Sequence, residues 1–113
     1  MMNRQDMQPD REILDTLVKR ILETAQPLRI ILFGSAAEGR MGPDSDLDVL
    51  VIMQDGTHRR RTAQQVYRCL AGIGVPKDIV VVTQSDVREY GDKPSLVLFS
   101  ALRKGKELYR AAR

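Results

Sequence analysis

The segment GSAAEGRMGPDSDLDVLVI, from Gly34 to Ile52, joins two apolar runs of the chain. It follows a short apolar run, Leu28 to Phe33, of strand length, and it ends in another, Leu47 to Met53. Between them lie Gly34-Ser35, room for one helical turn over Ala36 to Gly39, and a turn-rich segment from Arg40 to Ser45. Asp46 and Asp48 are two residues apart, which on a strand puts both carboxylates on one face and Leu47 and Val49 on the other. Two like charges so placed repel each other and lose hydration if partly buried. A hard cation such as Mg2+ offsets that repulsion with hard oxygen ligands. A strand-entry cap or exposed charge pair is the bland alternative for Asp46 and Asp48 taken alone.

Gly34 supplies the other half of the pattern. Glycine reaches backbone angles closed to other residues, and without a side chain it lets a phosphate approach the main chain. Ser35 offers a hydroxyl, and the amides opening the short helix after it can face the same anion. Asp78 begins a further apolar segment, Asp78 to Thr83, and a strand–helix–strand connection returns such a segment beside its predecessor. Three neighbouring carboxylates leave room for two metal ions, one to lower the pKa of an attacking hydroxyl and one to neutralise leaving pyrophosphate. Asp78 would serve as ligand or base toward that hydroxyl. The segment is neither a P-loop, since no Lys-Ser or Lys-Thr follows the glycines, nor a dinucleotide fingerprint.

Outward from this centre, Ile13, Leu14, Leu17, Val18, Ile21 and Leu22 recur at helical spacing after the cap candidate Asp10, and Pro27 bars continuation. A second helix is expected from about Thr57 to Ala71, with Ala63, Val66, Tyr67 and Leu70 as its inner stripe. Arg59, Arg60 and Arg61 oppose the dipole at its start, which favours solvent or a partner over packing. Ser85 is the expected cap of a short helix to Tyr90, and Ser95 of a last one to Arg103 or Lys104. Glu107 to Tyr109 then forms an edge strand. The expected class is α+β, a small mixed sheet with helices across one face. Residues 1–9 read as a flexible lead-in to a single domain over 10–113.

Composition narrows the function classes. With 42% hydrophobic and 29% charged residues the chain reads as globular, and no apolar run nears the ~20 residues that span a bilayer. No secretory signal is apparent, which favours the cytoplasm. One cysteine, Cys69, allows no internal disulfide and reads as a buried small hydrophobe; with one histidine, His58, it makes no structural zinc site. A net charge of +3 is too mild, and the aromatics too few, for direct nucleic-acid binding to be expected.

The motif Gly-Ser, ten residues, Asp-x-Asp resembles that of the minimal nucleotidyltransferases within the DNA polymerase beta-like superfamily. PKDIVVVT, with Asp78, matches the family's third carboxylate. The resemblance implies that Gly34 and Ser35 contact the triphosphate of ATP, aided by Arg40 and Ser45, and that Asp46, Asp48 and Asp78 hold Mg2+. The chain departs from the pattern at Glu38, where many relatives carry arginine, and Arg40 is the candidate replacement. Small stand-alone members resemble antitoxins paired with a helical HEPN ribonuclease toxin. The implied reaction is transfer of AMP from ATP to a toxin tyrosine. Two alternatives stand beside it: neutralisation of a partner by binding alone, and transfer to a small hydroxylated substrate.

Overall fold

A computed structural model describes residues 10–39, 46–93 and 96–112 of the chain. The expected lead-in over residues 1–9 lies outside them. So do Arg40, Ser45 and Ser95.

Helix α1, Arg11–Thr24, opens as its sequence predicts: the Asp10 side chain accepts the Glu12 amide at 2.8 Å. That bond satisfies one of the donors a helix leaves unpaired at its start. Leu17 and Ile21 of its apolar stripe are fully buried, while Leu22 stays at the rim. Strand β1, Arg29–Phe33, follows, then the four-residue helix α2, Gly34–Ala37. Strand β2, Leu47–Met53, runs back antiparallel to β1 with Phe33 opposite Asp48.

Helix α3, Arg59–Cys69, carries the chain to strand β3, Lys77–Thr83, which pairs parallel with β2. His58 caps α3, its Nδ1 accepting the Arg61 amide at 3.2 Å. Helix α4, Gln84–Tyr90, starts on a capping box of Thr83 and Asp86, so Thr83 takes the capping place expected of Ser85. Helix α5, Val97–Lys104, and strand β4, Lys106–Arg110, complete the chain; β4 lies antiparallel along β1. The sheet order is β3-β2-β1-β4, a mixed sheet as the sequence implies.

The placement of helices differs in part from the one-face expectation. Odd-numbered residues of β2, Leu47, Val49, Val51 and Met53, meet Leu17, Ile21, Val66 and Leu70 of α1 and α3 in the larger core. Even-numbered Leu50 and Ile52 join Ile31 with Leu98 and Ala101 of α5 on the opposite face. β2 is flanked by strands on both sides and is apolar on both faces, so each face needs cover. Each fully buried leucine or isoleucine contributes about 1.5–3 kcal/mol against exposure. The α5 face is the thinner of the two, and Asp48 opens onto it.

Candidate active site

β2 is antiparallel to β1 and parallel to β3, so the end of β1 and the beginnings of β2 and β3 meet at one end of the sheet. Gly34 lies there just past Phe33, Asp46 just before Leu47, and Asp48 directly opposite Asp78 in register. The amide of Leu47 bonds the Pro76 carbonyl at 2.9 Å, holding the two strand entries together. The fold therefore gathers Gly34, Ser35, Asp46, Asp48 and Asp78 from three separate segments. Arg40 and Ser45 fall in the undescribed segment between them.

Gly34 has φ +73°. Its α-carbon is pressed against Asp48: a Cβ there would overlap Oδ2 and stand 3.2 Å from Cγ. Both the backbone angle and the neighbouring carboxylate thus require glycine. Phe33 occupies the N-cap position of α2 and its side chain caps nothing, so no cap side chain meets the opening amides of that turn. Backbone donors and a carboxylate consequently share one small space, which suits a group bearing phosphate oxygens and a cation together.

The electrostatics point the same way. Asp48 has its pKa pushed above the ordinary carboxylate value of 3.8, by partial burial first, then by Asp78, then by Asp46. Among the described residues no lysine or arginine forms an ion pair with any of the three. Hard carboxylate oxygens held close to uncapped amides fit Mg2+, which keeps water and substrate phosphates in its shell beside one or two carboxylates. Among the described residues no group of three or more His, Cys, Asp or Glu is gathered closely enough to hold a metal alone. Asp46 and Asp48 with triphosphate oxygens make the better-fitting donor set.

Sequence reading misplaced Tyr67. It stands at an inward spacing of α3, yet it is 39% exposed, and its hydroxyl bonds Asp78 Oδ1 at 3.0 Å and the Ile79 amide at 3.0 Å. Periodicity gave no signal of this, because the stripe cannot distinguish a ring in the core from one passing beside the edge strand. Cys69 is half-buried rather than buried, its thiol donating to the Val66 carbonyl at 3.1 Å. Glu38, exposed, follows α2 directly and donates its amide to the Gly34 carbonyl. The three arginines lie far away: a hollow of about 580 Å³ lined by Thr57, His58, Arg59 and Arg60 opens at the opposite end of the sheet. Among the described residues its walls hold no carboxylate.

Among the described residues no helix is long and apolar enough to cross a membrane. No curated protein matches the chain in sequence. Solved structures similar in fold include the following three. A toxin–antitoxin with AMP-PNP superposes with a TM-score of 0.59 at 20% identity, over 87% of this chain and 73% of that one. A nucleotidyltransferase from Sulfolobus solfataricus, described as putative, gives 0.57 at 18% identity, over 88% and 81%. The toxin-antitoxin MntA-HepT gives 0.54 at 18% identity, over 90% and 74%. The profile of the nucleotidyltransferase domain matches residues 14–109, a span that holds the Gly-Ser turn, the aspartate pair and Asp78. By that match and by the geometry of its sheet end, the chain belongs to the nucleotidyltransferase domain family, whose reaction class is nucleotidyl transfer.

Proposed function

We propose that the chain transfers AMP from ATP to a tyrosine hydroxyl of a partner HEPN-type toxin and so acts as its antitoxin. The observation that carries the chemistry is the packing of Asp48 against Gly34 with Asp78 beside it in register. In this reading Gly34 and Ser35 hold the triphosphate by backbone and hydroxyl, with Arg40 and Ser45 as further contacts. Asp46 and Asp48 hold Mg2+ against the phosphates, and Asp78 completes the acidic set. Bound metal lowers the pKa of the acceptor hydroxyl and offsets charge on the departing pyrophosphate. A tyrosine acceptor, with an ordinary pKa of about 10, gains from that activation.

The phenolic oxygen attacks the α-phosphorus, the bond from that phosphorus to the α–β bridging oxygen breaks, and pyrophosphate leaves with the electron pair. Asp78 takes the phenolic proton. The partner assignment is supported by likeness of fold to two toxin–antitoxin structures, one of them with AMP-PNP. In this reading residues 10–113 form one catalytic domain, and the partner brings the acceptor.

A second reading, neutralisation by binding alone, is favoured by Glu38, an anionic side chain one turn from Gly34 where many relatives carry arginine. One experiment separates the two. The chain is incubated with ATP, Mg2+ and the product of the neighbouring gene, and the partner's intact mass is measured. Additions of AMP mass that vanish with Asp46→Asn support transfer. A tight complex without mass change supports binding alone.

A further inference from the structure

Tyr67 takes no part in the reaction just described, yet it touches the third carboxylate. Its single oxygen makes two hydrogen bonds, accepting from the Ile79 amide and meeting Asp78 Oδ1, each at 3.0 Å. The Ile79 N–H can only donate and an ionised carboxylate can only accept. The phenolic proton is therefore directed at Asp78, and the orientation of the hydroxyl is fully determined.

The platform for this contact is firm. β3 is an edge strand with β2 on one side, so amides on its open side need acceptors from elsewhere. Tyr67 meets the amide of the residue next to Asp78, so one atom fixes both strand backbone and carboxylate. The helix that carries it is anchored in turn: Arg20 of α1 donates to the carbonyls of Cys69 and Ala71, at 3.3 and 2.9 Å, at the end of α3. Asp78 itself is exposed, and an exposed aspartate at a strand entry would otherwise sample several rotamers.

We propose that Tyr67 is a positioning residue for Asp78: its hydroxyl commits Oδ1 and leaves Oδ2 as the oxygen that serves the metal. The inference rests on the nucleotidyl-transfer reading above and assigns α3 a part in the site that the Gly-Ser and Asp-x-Asp motif does not contain. Loss of a partner that orients a metal-site ligand typically costs about 10–100-fold in metal affinity or activity.

The test uses the full chain with a non-hydrolysable ATP analogue and Mn2+ as the probe, read by electron paramagnetic resonance. Tyr67→Phe, Asp78→Asn and the double variant are compared, with thermal melting to establish that each is folded. Tyr67→Phe is expected to weaken Mn2+ about tenfold, and the double variant to bind no more weakly than Asp78→Asn. With a modifiable partner, kcat falls while the KM for ATP holds. Wild-type Mn2+ affinity in Tyr67→Phe overturns the inference, as do losses that multiply in the double variant. So does AMP mass appearing on Tyr67, which would make it an acceptor. A wild-type chain that binds no Mn2+ with nucleotide refutes the transfer reading together with this one; tight wild-type binding unchanged by Tyr67→Phe refutes this one alone.

Discussion

The two ends of the sheet treat their carboxylates in opposite ways. At the end where β2 and β3 finish, Asp55 accepts the Ser85 amide at 2.7 Å and pairs with Arg88, and Asp86 accepts the Thr83 amide and pairs with Arg59 at 2.9 Å. Glu107 of β4 likewise takes Arg29 and Arg110. All three have pKa values drawn below the ordinary range: Asp55 first by its hydrogen bonds from Ser85, Asp86 first by the Thr83 amide, Glu107 first by Arg110. At the other end, Asp48 faces Asp78 and Asp46 and is pushed upward. The first end is built to be stable without help. At the second, burial and like charges oppose ionisation of Asp48, the pattern that makes a carboxylate a candidate for a binding site rather than a structural ion pair.

The largest effect that would test this contrast is on transfer. Asp48→Asn is expected to lower the rate about a thousandfold, since several kcal/mol of transition-state stabilisation go with the metal. The same change should raise the melting temperature of the metal-free chain, because it removes a charge that burial and two neighbours oppose. An unchanged rate, or a lower melting temperature, would show Asp48 to be structural after all.

Gly34→Ala comes next. It combines a left-handed backbone angle with overlap on Asp48, so both activity and stability should suffer, the backbone part alone costing about 1–2 kcal/mol. Gly72→Ala is the control: its φ is +78°, but a Cβ there meets nothing within 4 Å. It should cost about 1 kcal/mol in denaturant unfolding and leave the transfer rate alone. Equal losses from both would mean that Gly34 serves only the turn.

Titration sharpens the comparison further. The contributions of Asp86 and Glu107 are present above their ordinary values of 3.8 and 4.5 and are lost as pH falls through the lower folded values. That of Asp48 has the opposite sign, being present in full below 3.8 and lost as pH rises through its raised value. Melting curves taken across acid pH should show the advantage of Asp48→Asn over wild type shrinking toward low pH. The deficit of Asp86→Ala should narrow over the same descent. The smallest change expected is Arg59→Ala, an exposed pair worth under about 1 kcal/mol, with no effect on transfer.

Much of this was legible beforehand, for identifiable reasons. The length of the apolar run fixed Leu47–Met53 to the residue, and the spacing of Leu17 and Ile21 fixed the inner face of α1. Gly34 and the paired aspartates stood out because each breaks a local preference: a glycine closing an apolar strand, and two like charges on one strand face. Helices on the second face did not, since Leu50 and Ile52 belong to a run whose alternation is hidden when both faces are apolar. Nor did Tyr67, because its role depends on β3 being an edge strand, and strand order is not written in local sequence. Thr83 displaced Ser85 as a cap because Asp86 stands three residues after Thr83, where it can bond back to the cap amide.

The central claim is that the aspartate end of the sheet receives a metal-bound nucleotide. A crystal grown with Mn2+ and a non-hydrolysable ATP analogue, with the anomalous signal of manganese mapped, tests it most directly. The predicted result is manganese bound by both Asp46 and Asp48, with the triphosphate lying against Gly34 and Ser35. Nucleotide seated instead on His58, Arg59 and Arg60 at the far end, with no manganese at the aspartates, would contradict it.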